Sequence, residues 1–368
     1  MELAIKVVKE RYVNGKSVDE VCRTLELDYP ALVTRLIVFA RKNNLFSIDF
    51  TPKLFSRNEA LEKALKNKFG LRGAIVVDYD YEPKEDENSL KVDDELHKAL
   101  GQTFADQLAP TFEFNTPGSI GVGGGRGPYY FAKALSKSPL QVDTVIKSLT
   151  GTISAEVWNQ KGEDRFLMLD SRDVTNLLGK ALGVKDENLY PLNFPLVCSS
   201  VENRKQLLKT REAAYFISDE GWNEQRPDML VVGIGVIGGG HRFVKHTAFN
   251  LMPISDLLDK LISLIKQVRE KVDFFPVGDV CNYLFIVNPE KLKIAVPDIY
   301  DELDGLVEKI NAKLLTINLE QLKSVKNVIG IAGGVQYKAP AIRYVLEENS
   351  IDILCTDSKT ADYLLKDK

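Results

Sequence analysis

Hydrophobic positions in the first fifty residues recur at helical spacing in three separate runs. Ile5, Val8 and Tyr12 predict the face of a first helix. After Gly15, Ser17 is followed three positions on by Glu20, a capping box in which each side chain takes the other residue's backbone N–H, and it opens a short helix through Val18, Val21, Cys22 and Leu25. Glu26-Leu27-Asp28-Tyr29 breaks the pattern. Pro30 then suits the first position of a new helix, and Leu32, Val33, Leu36, Ile37 and Ala40 give that helix its apolar face. Helix, short turn, helix is the helix-turn-helix layout, whose second helix enters the major groove of DNA.

Beyond this region the pattern changes. Leu54, Leu61, Leu65 and Phe69 predict an amphipathic helix over 54–70, and from Ala74-Ile75-Val76-Val77 onward short apolar runs alternate with helical ones. The acid-rich stretch Tyr79–Asp94 reads as a solvated loop or the charged start of a helix Glu95–Leu108. Later candidate strands are Ser119–Gly123, Thr144–Leu149, Met229–Gly235, Tyr283–Val287, Val328–Ala332 and Ile351–Cys355, with helical patterns at Tyr129–Leu135, Ala339–Leu346 and Lys359–Leu365. This alternation predicts an α/β unit, a mostly parallel sheet covered by helices on both faces, following an all-α unit. The expected division is 1–52 and 53–368. In such sheets ligands bind at the carboxyl ends of the strands.

Composition narrows the classes further. With 368 residues, 44% of them hydrophobic and 27% charged, the chain is long enough for two units and too apolar for a disordered or collagenous one. No apolar run approaches the roughly 18 residues a membrane helix needs, and the start MELAIKVVKERY turns charged too early for a signal peptide. A cytoplasmic address without a membrane partner is expected. The four cysteines, Cys22, Cys198, Cys281 and Cys355, are far apart with no C-x-x-C pair, which predicts buried thiols and neither disulfides nor structural zinc. A net charge of −4 confines any nucleic-acid contact to a small face. That face is on the third helix, where Thr34, Arg35, Arg41 and Lys42 occur with no acidic residue between Pro30 and Asn44. A solvated three-helix cap and a protein-binding surface are the alternatives. Few phosphate contacts per copy mean that duplex DNA would have to be bound by two or more copies on neighbouring half-sites.

Glycines mark the ends of the predicted strands. Gly121-Val122-Gly123-Gly124-Gly125-Arg126-Gly127-Pro128 follows a strand and opens a helix, so its backbone N–H groups, the helix dipole and Arg126 can cradle an oxyanion; a tight turn needing only positive φ is the alternative. Gly333-Gly334 followed by Lys338 brings a second cation to a helix start. Ser148-Leu149-Thr150-Gly151 adds two hydroxyls at a third strand end. Parallel strands end on one edge, so these loops are expected to converge on an anion. Asp279, in a predicted turn, would accept from sugar hydroxyls or cap that turn. Gly233-Ile234-Gly235-Val236-Ile237-Gly238 has the letters of a dinucleotide fingerprint but lacks a helix opening and a ribose-binding acid, so no cofactor is expected. His241 and His246 do not share a helical face, and no metal site is expected.

These stretches together resemble the SorC-type sugar-binding bacterial transcriptional regulators from about residue 5 to residue 366. The matching words are Arg35-Leu36-Ile37 with Ala40-Arg41, Leu61…Phe69-Gly70-Leu71, Gly121-Val122-Gly123, Val232-Gly233-Ile234-Gly235, Val277-Gly278-Asp279-Val280, Ile331-Ala332-Gly333-Gly334 with Lys338, and Asp352 to Asp357 with Thr360-Ala361. The resemblance implies a winged or simple helix-turn-helix, an effector domain related to sugar-phosphate isomerases and deaminases, a phosphorylated sugar as effector, and dimers or tetramers. It implies a regulator without catalytic residues; an isomerase- or deaminase-like enzyme with a fused interaction domain, using Asp279 or Asp357 as base, is the alternative. The chain departs from the family at Asp28-Tyr29-Pro30-Ala31, where a small hydroxyl residue commonly starts the recognition helix, and at Gly127, where members commonly carry Thr.

Overall fold

A computed structural model describes residues 1–43, 45, 56–79, 89–114, 116–137, 139–152, 170–237, 253–334 and 338–366. The chain forms two compact units, Met1–Leu54 and Phe55–Lys368.

The first unit contains α1 (Glu2–Val8, continued by a π-helical turn Lys9–Val13), α2 (Val18–Thr24) and α3 (Pro30–Lys42). Its core is Val7, Val21, Cys22 and Val33, with Leu25, Leu27, Leu36 and Ile37 packed around it. The expected face of the first helix is corrected here. Ala4 and Val7 are the buried positions, while Ile5 and Tyr12 are 48% and 47% exposed, because a helix this short turns only one narrow side to its two partners.

The second unit begins with β1 (Ser56–Arg57), α4 (Glu59–Phe69), β2 (Gly73–Asp78), α5 (Ser89–Phe114), β3 (Ser119–Val122), α6 (Arg126–Leu135) and β4 (Val145–Ser148). It continues with α7 (Ser171–Ala181), β5 (Leu189–Tyr190), three short helices between 201 and 225, β6 (Met229–Val232), β7 (Ile234–Val236) and α8 (Ser255–Arg269). The hairpin β8 (Val277–Val280) and β9 (Tyr283–Ile286) follows, then α9 (Pro297–Asn311), β10 (Val328–Ile331), α10 (Ala339–Glu347), β11 (Ile353–Asp357) and α11 (Ser358–Leu365). Eight strands form one sheet in the order β1-β2-β11-β10-β6-β3-β4-β5, parallel throughout except for β1; β7, β8 and β9 form a separate antiparallel sheet.

Neighbouring strand residues serve opposite faces. Val76, Leu230, Val232 and Leu354 join the core under α4, α8, α9 and α10, whereas Ile75, Val77, Val231, Ile329 and Cys355 join the one under α5, α6 and α7. Both faces are therefore dry, as the unbroken apolar strands required, and burying each large aliphatic side chain contributes about 1.5–3 kcal/mol.

Three expectations shift. The helix predicted over 54–70 starts at Glu59, capped by Asn58, because Ser56 and Arg57 pair with β2 as an edge strand; Leu54 lies outside the described residues. Met229–Gly235 is not one strand: the chain breaks at Gly233 and crosses from the parallel to the antiparallel sheet. Helix α5 starts before Glu95, at Ser89, and runs past Leu108 and through Pro110 to Phe114. All four cysteines are buried and free. No helix among the described residues is long and apolar enough to cross a membrane.

Candidate functional site

In the first unit the turn between α2 and α3 is set by local bonds. The Ser17 hydroxyl accepts the Glu20 N–H at 3.2 Å and the Glu20 carboxylate accepts the Ser17 N–H at 2.7 Å, which fixes the start of α2. At its end Glu26 takes a left-handed φ of 50°. The Leu27 N–H returns to the Cys22 carbonyl at 2.9 Å. Pro30 occupies the first turn of α3, where its missing N–H costs nothing. Thr34, Arg35, Arg41 and Lys42 are all exposed, while Val33 and Ala40 face the core. A single short helix thus presents cations on the side away from its packing partners.

In the second unit strand order places the other candidate site. The chain runs β3, β4, β5 in one direction across the sheet and β6, β10, β11 in the other, so the order reverses between the adjacent strands β3 and β6. Glycine loops follow β3, β6 and β10, three neighbours at that point. After β3, Gly125 takes a φ of 102°, unfavourable for any side chain, and caps α6, whose first residue is Arg126. After β10, Gly334 takes a φ of 107° for the same reason, and Lys338 stands at the start of α10.

The antiparallel hairpin closes onto these loops. Cys281 and Asn282 both take left-handed φ, 53° and 62°, the conformation of a two-residue type I′ turn. This turn presses on the first glycine loop: a side-chain carbon at Gly123 would come within 2.9 Å of the Cys281 sulfur. Asp279 is in β8, opposite Gly235 of β7 and Leu284 of β9. The expected turn at Asp279 is therefore corrected; two-residue strand alternation, not a loop, aims its side chain. Its carboxylate lies across Gly235, where a side-chain carbon would come within 2.2 Å of Oδ1. Gly235 thus serves that close approach. Burial pushes the Asp279 carboxyl up to about 6, against the Asn282 N–H and the charge of Lys338, both of which lower it. Asp279 and Asn282 are the polar groups of a small cleft otherwise lined by Leu196, Ile237, Ile254, Leu258, Leu284 and their neighbours.

The third predicted loop is built differently from expectation. Ser148 is 1% exposed and its hydroxyl pairs with Thr175 of α7 at 3.0 Å, so it packs in the core beneath the loop. Thr150 is equally buried; its hydroxyl donates to the Gly151 carbonyl, and its backbone bridges Thr316, whose hydroxyl donates to the Cys281 carbonyl. Gly151 is closed in by the backbone of Pro195 and Leu196. This segment supports the hairpin turn.

Two supports do more than the sequence shows. Asp357 is wholly buried at the end of β11: Oδ1 accepts the Thr360 N–H at 2.9 Å, while Oδ2 accepts the Thr360 hydroxyl at 2.7 Å and the Gly334 N–H at 3.0 Å. The spacing Asp357-x-x-Thr360 signals the cap but not the bond to a loop 23 residues away. Ser171 donates to the Val122 carbonyl and accepts the Leu149 N–H, bridging the ends of β3 and β4. Gly238, His241 and His246 lie outside the described residues. Among the described residues no group of three or more His, Cys, Asp or Glu could hold a metal.

A doubly wound sheet thus carries glycine loops, Arg126, Lys338 and the Asp279 carboxylate on the elements around its switch point. Residues 53–261 and 296–366 match the family described as "Putative sugar-binding domain", and the chain belongs to that family. A sorbitol operon regulator of Klebsiella pneumoniae is 24% identical over 372 residues, spanning 100% of this chain and 98% of the relative. The crystal structure of full-length SorC from the same organism superposes with a TM-score of 0.58 at 21% identity, covering 99% of both chains. A DeoR family transcriptional regulator from Listeria monocytogenes gives a TM-score of 0.55 at 21% identity, over 83% of this chain and 98% of that one.

Proposed function

We propose that the chain is a transcriptional regulator whose binding to a duplex operator is controlled by a phosphorylated sugar. The observation that carries it is the pairing, in one chain, of a sugar-binding family unit with a helix-turn-helix whose third helix carries only cationic charges on its exposed side. Thr34, Arg35, Arg41 and Lys42 contact DNA. The phosphate lies against Gly123, Gly124, Gly125 and Arg126 at the start of α6 and against Gly333, Gly334 and Lys338, while Asp279 accepts sugar hydroxyls. The working form is a dimer or tetramer, since one copy offers too few phosphate contacts for tight binding. Ligand control requires that the sugar bind the two states of the oligomer unequally.

The test is fluorescence anisotropy of the full chain on duplexes selected from a random library, at several salt concentrations and with a panel of hexose and pentose phosphates. Affinity is expected to fall steeply with salt and to change with one phosphosugar but not with its unphosphorylated parent. Salt-independent binding, or equal effects of the two sugars, refutes the proposal. Product analysis of the same incubations separates binding from the turnover expected of an isomerase or deaminase.

A further inference from the structure

The residues nominated for DNA contact do not include the middle of the exposed face of α3. On a helix, positions separated by four, three and four residues form one stripe. Ala31, Arg35, Val38 and Lys42 have that spacing, and the buried Val33 and Ala40, with Leu36 and Ile37 half-buried beside them, mark the opposite side. Val38 is 47% exposed and sits one turn from Arg35 and one turn from Lys42, with Thr34 a turn back beside it. Among the described residues, the core of this unit does not include Val38. A β-branched side chain in water on a helix surface gains no burial, and it lowers helix propensity.

We propose that Val38 is a specificity-determining residue that reads a pyrimidine C5-methyl group, that of thymine, in the major groove. This rests on the DNA-binding reading above. The floor of the groove offers hydrogen-bond donors and acceptors and one apolar group, the thymine methyl, so an apolar side chain between two cations has a single partner of matching chemistry. Arg35 and Lys42 hold the stripe against the duplex from either side, and Val38 supplies contact that neither cation can give.

The experiment uses the full chain and a duplex selected from a random library, with each thymine replaced singly by deoxyuridine, which deletes only the methyl. At one thymine per half-site the replacement is expected to weaken wild-type binding about three- to fivefold, the size of one buried methyl group. Val38→Ala is expected to bind that duplex about as weakly as wild type binds the uracil duplex, and to lose discrimination at that position alone. Val38→Thr, which keeps a γ-methyl, retains it, and the melting temperature and salt slope are unchanged in both variants. Placing 5-methylcytosine at the same position restores wild-type affinity only if the methyl is what is read. Undiminished discrimination by Val38→Ala, or the absence of any thymine sensitive to methyl loss, overturns the assignment while leaving DNA binding intact. Failure of wild type to select any duplex overturns the DNA-binding reading itself.

Discussion

Replacing Asp357 by Asn separates two jobs of one buried carboxylate. Asn keeps Oδ1, so the Thr360 N–H stays capped at the start of α11, but it points an NH₂ group at the Gly334 N–H that Oδ2 accepts at 3.0 Å. The Thr360 hydroxyl can rotate to accept; the Gly334 amide cannot. One charge-assisted bond is lost inside a core position with no access to water, which costs about 1.5–3 kcal/mol. Asp357→Ala loses the cap as well, adding about 1 kcal/mol. Hydrogen exchange reads the first effect directly. The amide of Gly334 is expected to exchange about 10- to 150-fold faster in Asp357→Asn, with the α11 amides protected, and both to exchange faster in Asp357→Ala. Phosphosugar affinity, measured by calorimetry, should fall in parallel because the loop that faces the ligand is no longer held. Wild-type exchange at Gly334 in Asp357→Asn, with unchanged sugar affinity, would refute the argument.

Asp279 predicts a pH dependence. Burial raises its pKa from 3.8 to about 6, so between those values the folded chain holds a proton that the unfolded chain has released, and stability falls as pH rises through that window, by about 2–3 kcal/mol at most. Asp279→Asn should abolish that part of the slope in melting experiments from pH 4 to 7, and equal slopes in the two proteins would sink the claim. Gly127 predicts a steric cost. A side-chain carbon there would meet the Ile331 carbonyl oxygen at 2.5 Å, so Gly127→Thr, which restores the residue that resembling regulators carry, should lose about 1–3 kcal/mol by thermal unfolding and gain no phosphosugar affinity. A Thr variant as stable as wild type would show that α6 can move away from β10.

Much of the architecture was legible because burial on both faces leaves a simple trace. The strands Ala74–Val77, Val328–Ala332 and Met229–Val232 are unbroken apolar runs, and the capping box at Ser17 and Pro30 at the start of α3 are local chemistry that tertiary packing has no reason to override. What escaped is what depends on distant partners. Nothing near Asp279 says that Gly235, 44 residues earlier, will lie under its carboxylate, and Ser148 looks like a free hydroxyl until α7 brings Thr175 against it. The face of the first helix failed for a different reason: Ile5, Val8 and Tyr12 do share a face, but Ala4 and Val7 on another side take the core.

The same distinction bears on how a ligand signal could leave the site. Regulation needs an element whose position is felt both at the ligand loops and where the chain enters the sugar-binding unit. Helix α5 touches both. At one point Leu100 lies against Gly333, and its carbonyl accepts the Cys355 thiol of β11 at 3.6 Å. Two turns on, Gln107 accepts from Arg57 at 2.6 Å. Arg57, in the first strand of the unit, also grips Glu62 with two bonds of 2.8 and 2.6 Å, and Glu62 in turn accepts the Val76 N–H of β2. The entering strand is thus fixed to the sheet edge through one buried carboxylate and to α5 through one amide. The Gly333–Gly334 loop and the entry strand thus lean on the same helix, and the Arg57–Gln107 bond, charged on one side only, is weaker than the Arg57–Glu62 pair.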